Sequence, residues 1–151
     1  MPPAPVDPSS WYELVSGNAG KCVDASGGGT ANGTPLIQWS CGDHQTNQQW
    51  QFSATDSGYY RITNRNSAAN GQVIDVPGDP SANGTALTTW GWNGGANQQW
   101  MPVLEGGNRY HLVSRSSGKC LDVTGASTAD GTALAQWTCN GGSNQSFQLA
   151  Q

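Results

Sequence analysis

The chain has 151 residues, 6 Lys plus Arg against 10 Asp plus Glu, a formal net charge of −4 and only 11% charged residues. That balance argues against a nucleic-acid partner, which calls for clustered Lys and Arg, and no stretch approaches the ~18 apolar residues of a membrane span. Seven Trp, four Tyr and two Phe set it apart from disordered chains, which are poor in aromatics.

In chain order, Met1 to Ser10 comes first, with Pro2, Pro3, Pro5 and Pro8 and no apolar core. It does not read as a signal peptide. It reads as the remnant of a stiff linker in a longer secreted protein, which leaves residues 11–151 as one domain.

From Trp11 onward the chain repeats itself three times, over residues 11–54, 58–104 and 108–150. Each copy opens on an aromatic-polar-aliphatic triplet: Tyr12-Glu13-Leu14, Tyr60-Arg61-Ile62 and Tyr110-His111-Leu112. That alternation suits a half-buried strand. An aliphatic-Asp-aliphatic segment follows, centred on Asp24, Asp75 and Asp122. Next comes an Asx-Gly-Thr turn at Asn32-Gly33, Asn83-Gly84 and Asp130-Gly131, then a strand ending on Trp39, Trp90 and Trp137. Asn-Gly and Asp-Gly are favoured in tight hairpins where both central residues take positive φ. The copies close on Asn47-Gln48-Gln49-Trp50, Asn97-Gln98-Gln99-Trp100 and Asn144-Gln145-Ser146-Phe147.

The Asp-to-Trp interval is 15 residues in every copy. Four strands per copy predict about twelve, with no long helix. One copy cannot bury its apolar face alone, so three are expected to pack about a common axis. Trp50, Trp100 and Phe147, with Leu36, Leu87 and Leu134, are the candidate core.

Four cysteines allow three pairings. Cys22 and Cys41 are 19 residues apart, as are Cys120 and Cys139, at matching positions of copies one and three. Copy two has Val73 and Trp92 there, so both members are missing together. The repeat therefore predicts disulfides Cys22–Cys41 and Cys120–Cys139, and with them an oxidising, extracellular setting. A zinc site is disfavoured, because there is no Cys-x-x-Cys and neither His44 nor His111 recurs. No cofactor is expected.

The recurring polar and aromatic residues suit a neutral sugar. A carboxylate at Asp24, Asp75 or Asp122 accepts hydrogen bonds from vicinal hydroxyls. An indole at Trp39, Trp90 or Trp137 offers a face for the C–H side of a pyranose. Asn47, Asn97 and Asn144 both donate and accept. Gln48, Gln98 and Gln145 either do the same or brace the Asp. The competing reading is scaffold: an Asp capping a turn, a Gln satisfying buried backbone, a Trp in the core. The leucine three residues before each Trp falls on the opposite strand face, which favours the ligand role for Trp39, Trp90 and Trp137. Catalysis is disfavoured. A glycosidase needs two carboxyl groups flanking one bond and each copy repeats one, and no Ser-His-Asp set is evident.

These landmarks resemble the ricin B-type lectins and, within them, the family 13 carbohydrate-binding modules attached to secreted bacterial glycoside hydrolases. The resemblance runs from about Trp11 to Ala150. It is carried by Gln48-Gln49-Trp50, Gln98-Gln99-Trp100 and Gln145-Ser146-Phe147, with the Lys-Cys-aliphatic-Asp segments at Lys21 to Asp24 and Lys119 to Asp122. It implies an all-β, β-trefoil fold with one shallow sugar site per lobe. It further implies galactose-, arabinose- or xylose-containing polysaccharides as ligands and a linked glycoside hydrolase as partner. A free-standing or toxin-associated lectin is the alternative, and a trefoil protease inhibitor a more distant one. The resemblance is incomplete in three places. Ile37, Thr88 and Ala135 stand where a polar residue is usual, with Gln38 and Gln136 one position later. Copy two lacks the disulfide, and its Trp92 is a possible second aromatic for that site. Copy one has an extra residue between Gly42 and Thr46. Each site is expected to be weak, on the order of millimolar, with avidity from three sites on one monomeric body.

Overall fold

The computed structural model describes residues 6–78 and 80–151. The described chain is all β, with thirteen strands, six single 3-10 turns and no α-helix. Lobe one contributes β1 (Glu13–Ser16), β2 (Cys22–Ala25), β3 (Leu36–Trp39) and β4 (Trp50–Ala54). Lobe two contributes β5 (Tyr60–Asn64), β6 (Gln72–Asp75), β7 (Thr85–Ala86), β8 (Thr88–Gly91) and β9 (Trp100–Gly106). Lobe three contributes β10 (Arg109–Ser114), β11 (Cys120–Val123), β12 (Leu134–Trp137) and β13 (Phe147–Ala150).

Four strands per lobe were expected, and the thirteenth arises at Leu87. There the chain changes partners: β7 pairs with β12, while β8 pairs with β6. One expected strand is thereby split in two.

The first and last strands of the three lobes form a barrel in the order β4-β5-β9-β10-β13-β1. A two-bond bridge between Tyr12 and Trp50 closes it, at 2.7 and 2.8 Å. The same pairing recurs as Tyr60 opposite Trp100 and Tyr110 opposite Phe147. The opening tyrosines and the closing aromatics are thus threefold counterparts that pair the first and last strands of each lobe. The remaining hairpins, β2–β3, β6–β8 and β11–β12, cap the barrel. This is the β-trefoil that the repeats imply.

The core follows from alternation. Trp50, Trp100, Phe147, Leu36, Leu87 and Leu134 are all buried. Phe52, Leu14, Ile62 and Leu112 fill the barrel between them. Burying an indole strands its N–H unless an acceptor is near. Trp50 donates to the Val23 carbonyl at 3.0 Å and Trp100 to Ile74 at 3.1 Å. Each closing tryptophan thereby pins the Asp-bearing strand of its own lobe, whereas Phe147 packs without that bond.

The cysteines pair as the spacing predicts, Cys22 with Cys41 and Cys120 with Cys139. Each bond closes a loop of about 20 residues, worth roughly 3 kcal/mol in chain entropy. In lobe two the Arg61 guanidinium sits 5.2 Å over the Trp92 ring, a cation–π contact where the other lobes have sulfur.

Residues 1–5 of the expected linker lie outside the described residues. From Val6 onward the segment is docked on the body. Val6 is in the core, the Asp7 amide donates to the Tyr12 hydroxyl at 2.9 Å, and the Gln151 side chain reaches Ser10 at 2.7 Å.

The Asx-Gly turns differ from expectation. Gly33, Gly84 and Gly131 have φ of 86°, 84° and 89°, but Asn32, Asn83 and Asp130 are not in the positive-φ region. That is the pattern of a type II turn, which needs a positive φ at its third residue alone, and not of type I′. The turns lie within longer connections between paired strands, so they need not match the twist of a two-residue hairpin.

Candidate functional site

One register builds all three clefts. Asp24 lies opposite Ile37 and Cys22 opposite Trp39. Asp75 lies opposite Thr88 and Val73 opposite Trp90. Asp122 lies opposite Ala135 and Cys120 opposite Trp137. Asp and Trp are therefore diagonal cross-strand neighbours in every lobe, a relation that spans about 7–8 Å. The invariant 15-residue interval is the sequence trace of this register.

The indoles of Trp39, Trp90 and Trp137 are 45%, 40% and 43% exposed, although each follows a buried leucine by three residues. Exposed indoles beside a buried carboxylate at the cleft floor leave an apolar face and a strong acceptor on one concave surface. Asp24, Trp39 and Asn47 line the first cleft, Asp75, Trp90 and Asn97 the second, and Asp122, Trp137 and Asn144 the third. The structure thus brings together the Asp, Trp and Asn chosen from the sequence in each lobe.

The glutamines lie beneath this surface. Gln48, Gln98 and Gln145 are at most 1% exposed. Their Nε2 atoms donate to Asp24, Asp75 and Asp122 Oδ2 at 2.9, 2.8 and 2.9 Å. They also donate to the carbonyls of Ser40, Gly91 and Thr138. Each Oε1 accepts a backbone amide, from Gly42, Asn93 or Asn140. Both donor hydrogens face the protein, so the geometry is that of a brace: the glutamine fixes which way the carboxylate points. Each asparagine anchors itself through Nδ2 to the carbonyl that follows the Asp, on Ala25, Val76 or Val123.

Burial pushes the Asp24 and Asp122 carboxyls above their ordinary value. The hydrogen bonds from Gln48 and Asn47, and from Gln145 and Asn144, oppose the rise. Asp24 also feels the negative charge of Asp130.

The rims carry residues that the repeats did not single out. Asn93 and Asn140 edge the second and third clefts. Each accepts a bond from the second glycine of an Asn-Gly-Gly segment, Gly95 or Gly142, at 2.8 Å. The signal was present in the sequence as Asn93-Gly94-Gly95 and Asn140-Gly141-Gly142. Copy one lacks it. Its extra residue leaves His44 exposed at φ 56° and brings Gln45 to the rim, with Ile37 on the floor. Ser26 to Gly28, Pro77 with Gly78, and Gly125 with Ala126 complete the three walls.

The displaced glutamines serve the scaffold. Gln38 is buried and bonds the carbonyls of Ser127 and Ala129, and Gln136 those of Pro80 and Ala82. Both therefore staple neighbouring lobes. Trp92 lies under Arg61 and does not line the second cleft, so it does not widen it.

Comparison with known proteins agrees with this architecture. The family described as ricin-type beta-trefoil lectin domain-like matches residues 5–90, 46–137 and 96–151 in three overlapping stretches. Nigrin b from Sambucus nigra is 41% identical over 49 residues, which are 32% of this chain and 8% of nigrin b. A designed threefold-symmetric protein, ThreeFoil, superposes with a TM-score of 0.88 at 38% identity, over 93% of this chain and 98% of that one. An exo-beta-1,3-galactanase from Clostridium thermocellum, 1,3Gal43A, gives 0.88 at 34% identity over 94% of this chain, which spans only 30% of that protein. Fold, repeats and family match coincide, and the chain belongs to the ricin-type β-trefoil lectins, a carbohydrate-binding fold.

Proposed function

We propose that this chain is a non-catalytic carbohydrate-binding module with up to three weak sites. It binds galactose-, arabinose- or xylose-containing polysaccharides and holds an attached glycoside hydrolase on its substrate. The observation that carries this reading is the threefold recurrence of an exposed indole facing a carboxylate whose direction a buried glutamine fixes. An open cleft with one stacking face and one strong acceptor suits a pyranose with neighbouring hydroxyls. A single such contact set gives an affinity on the order of millimolar. Three on a rigid body gain through avidity on a polymer.

The likeness to one part of an exo-beta-1,3-galactanase supports both the attached hydrolase and a galactose-containing ligand. The two disulfides support a secreted protein. The chain acts as a monomer, its multivalency internal.

Isothermal titration or ligand-observed NMR against galactose, lactose, arabinose, xylose and xylo-oligosaccharides tests the reading. Saturable binding with one to three sites per chain is expected. Flat titrations across the whole panel overturn it. Retention on insoluble polysaccharide separates the module from a cell-surface lectin, which would agglutinate erythrocytes without such retention.

A further inference from the structure

Each Asx-Gly turn does its work on the lobe that follows it. Asp130, in lobe three, accepts the Ser40 amide at 2.9 Å in lobe one. Asn32, in lobe one, accepts the Gly91 amide at 2.8 Å in lobe two. Asn83, in lobe two, accepts the Thr138 amide at 2.8 Å in lobe three. Ser40, Gly91 and Thr138 are the residues directly after Trp39, Trp90 and Trp137.

The glycine of each turn holds the other side. Gly131, Gly33 and Gly84 donate their amides to the carbonyls of Gln38, Thr89 and Gln136, each at 2.8 Å. Those are the residues directly before the three tryptophans. Both peptide groups flanking each exposed indole are thus clamped from the preceding lobe. The glycines also lie against the rings. A Cβ on Gly131, Gly33 or Gly84 would stand 3.8, 3.7 or 3.6 Å from Cζ3 of Trp39, Trp90 or Trp137.

In two lobes the Asx side chain has a further partner. Asp130 ion-pairs with Lys21 at 3.0 Å, whereas neutral Asn32 accepts from Gln72 at 3.1 Å. Lys21 and Gln72 occupy the same place, three residues before the cleft aspartate.

We infer that every cleft is a two-lobe site, in which Asp130 positions Trp39, Asn32 positions Trp90 and Asn83 positions Trp137. This rests on the proposed sugar-binding role of those tryptophans. The three sites form a closed ring, so damage to one repeat's turn disables the next repeat's cleft and spares its own.

The test follows the indole N–H signals of Trp39, Trp90 and Trp137 by NMR in the whole chain, first without sugar and then with lactose and with xylobiose. In sugar-free protein, Asp130→Ala moves the Trp39 signal and leaves Trp137 in place. With sugar, the same variant weakens the site reported by Trp39 by about fivefold or more, since it removes the acceptor of both the Ser40 amide and hydroxyl and the ion pair to Lys21, and spares the site reported by Trp137. Asp130→Asn restores the Trp39 site, since Asn fills this position in the other two lobes. A loss at Trp137, an equal loss at all three sites, no change, or no rescue by Asn overturns the inference. If Asp130→Ala does not fold, Asn83→Ala takes its place, with Trp137 as the expected casualty and Trp90 as the spared site. If the wild type binds neither sugar, the proposed ligands fail, and the sugar-free signals alone decide the positioning.

Discussion

Gln48 Nε2 lies 2.9 Å from Asp24 Oδ2 in a fully buried contact, and the pair is reproduced by Gln98 with Asp75 and Gln145 with Asp122. The carboxylate at the floor of each cleft is therefore held from beneath by a side chain that the solvent does not reach. Gln145→Leu removes the bond to Asp122 and also strands the Thr138 carbonyl and the Asn140 amide. Buried polar groups left without partners cost about 1–3 kcal/mol each. The variant is expected to lose lobe-three binding and to unfold at lower urea. Asp122→Ala is expected to lose the same site with a smaller drop in stability, because the side chain it removes reaches the cleft surface. Urea denaturation and site counting by titration separate the two. Equal stability for both variants sinks the brace.

The two tryptophan sets should behave in opposite ways. Trp50 is buried and donates to Val23, whereas Trp39, eleven residues earlier, is 45% exposed. Trp50→Ala is expected to destabilise the fold by about 3–5 kcal/mol, as large-to-small changes of core aromatics do. Trp39→Ala is expected to shift the unfolding midpoint little and to abolish one binding site. If Trp39→Ala unfolds the protein as readily as Trp50→Ala, the exposed indole is structural and the first cleft has no ligand role.

This contrast was readable in the sequence because strand alternation places Leu36 and Trp39 on opposite faces, and the same offset recurs at Leu87 with Trp90 and at Leu134 with Trp137. The disulfides were readable because Cys22 with Cys41 and Cys120 with Cys139 keep one spacing. What the sequence hid was three-dimensional. Gln48 carries the same chemistry whether it faces a ligand or a carboxylate, and only burial separates the two roles. Asn32-Gly33 reads as a local turn, because nothing along the chain says that its side chain reaches Gly91 in another lobe. The rim asparagines Asn93 and Asn140 escaped notice because copy one, with its extra residue, breaks their threefold pattern.

Acid should weaken binding while these same carboxyls favour the fold. Burial raises Asp24 and Asp122 above the ordinary 3.8. A raised group is more easily protonated in the folded chain than in the unfolded one. Its contribution to stability is therefore fully present below 3.8 and is lost as pH rises through the folded value. The ionised form accepts hydrogen bonds from sugar hydroxyls more strongly than the neutral acid, so the sign for binding is reversed. Affinity at the first and third clefts is expected to be flat near neutral pH and to fall on acidification before pH 3.8 is reached. Calorimetric titrations down through the acid range check this. Affinity that stays level to below pH 3.8 would show that these carboxylates do not carry the interaction.

Gly95 and Gly94 are adjacent, but each is glycine for a different reason. Gly95 has an ordinary φ of −66°, yet a Cβ there would stand 2.5 Å from Asn97 Oδ1 and 3.0 Å from Asn93 Oδ1. Gly94 has φ of 82° and nothing within 4 Å of a built Cβ. Gly95→Ala therefore meets two rim side chains and no backbone penalty, whereas Gly94→Ala meets a backbone penalty of roughly 1 kcal/mol and no side chain. Gly95→Ala is expected to displace Asn97 and weaken the second cleft, with a stability change within about 1 kcal/mol. Gly94→Ala is expected to lower stability and leave the second cleft's affinity as it was. Titration and thermal unfolding of both variants provide the check. The opposite pattern, binding lost in Gly94→Ala and kept in Gly95→Ala, would remove Asn97 from the site, since its displacement would then have no consequence for the ligand.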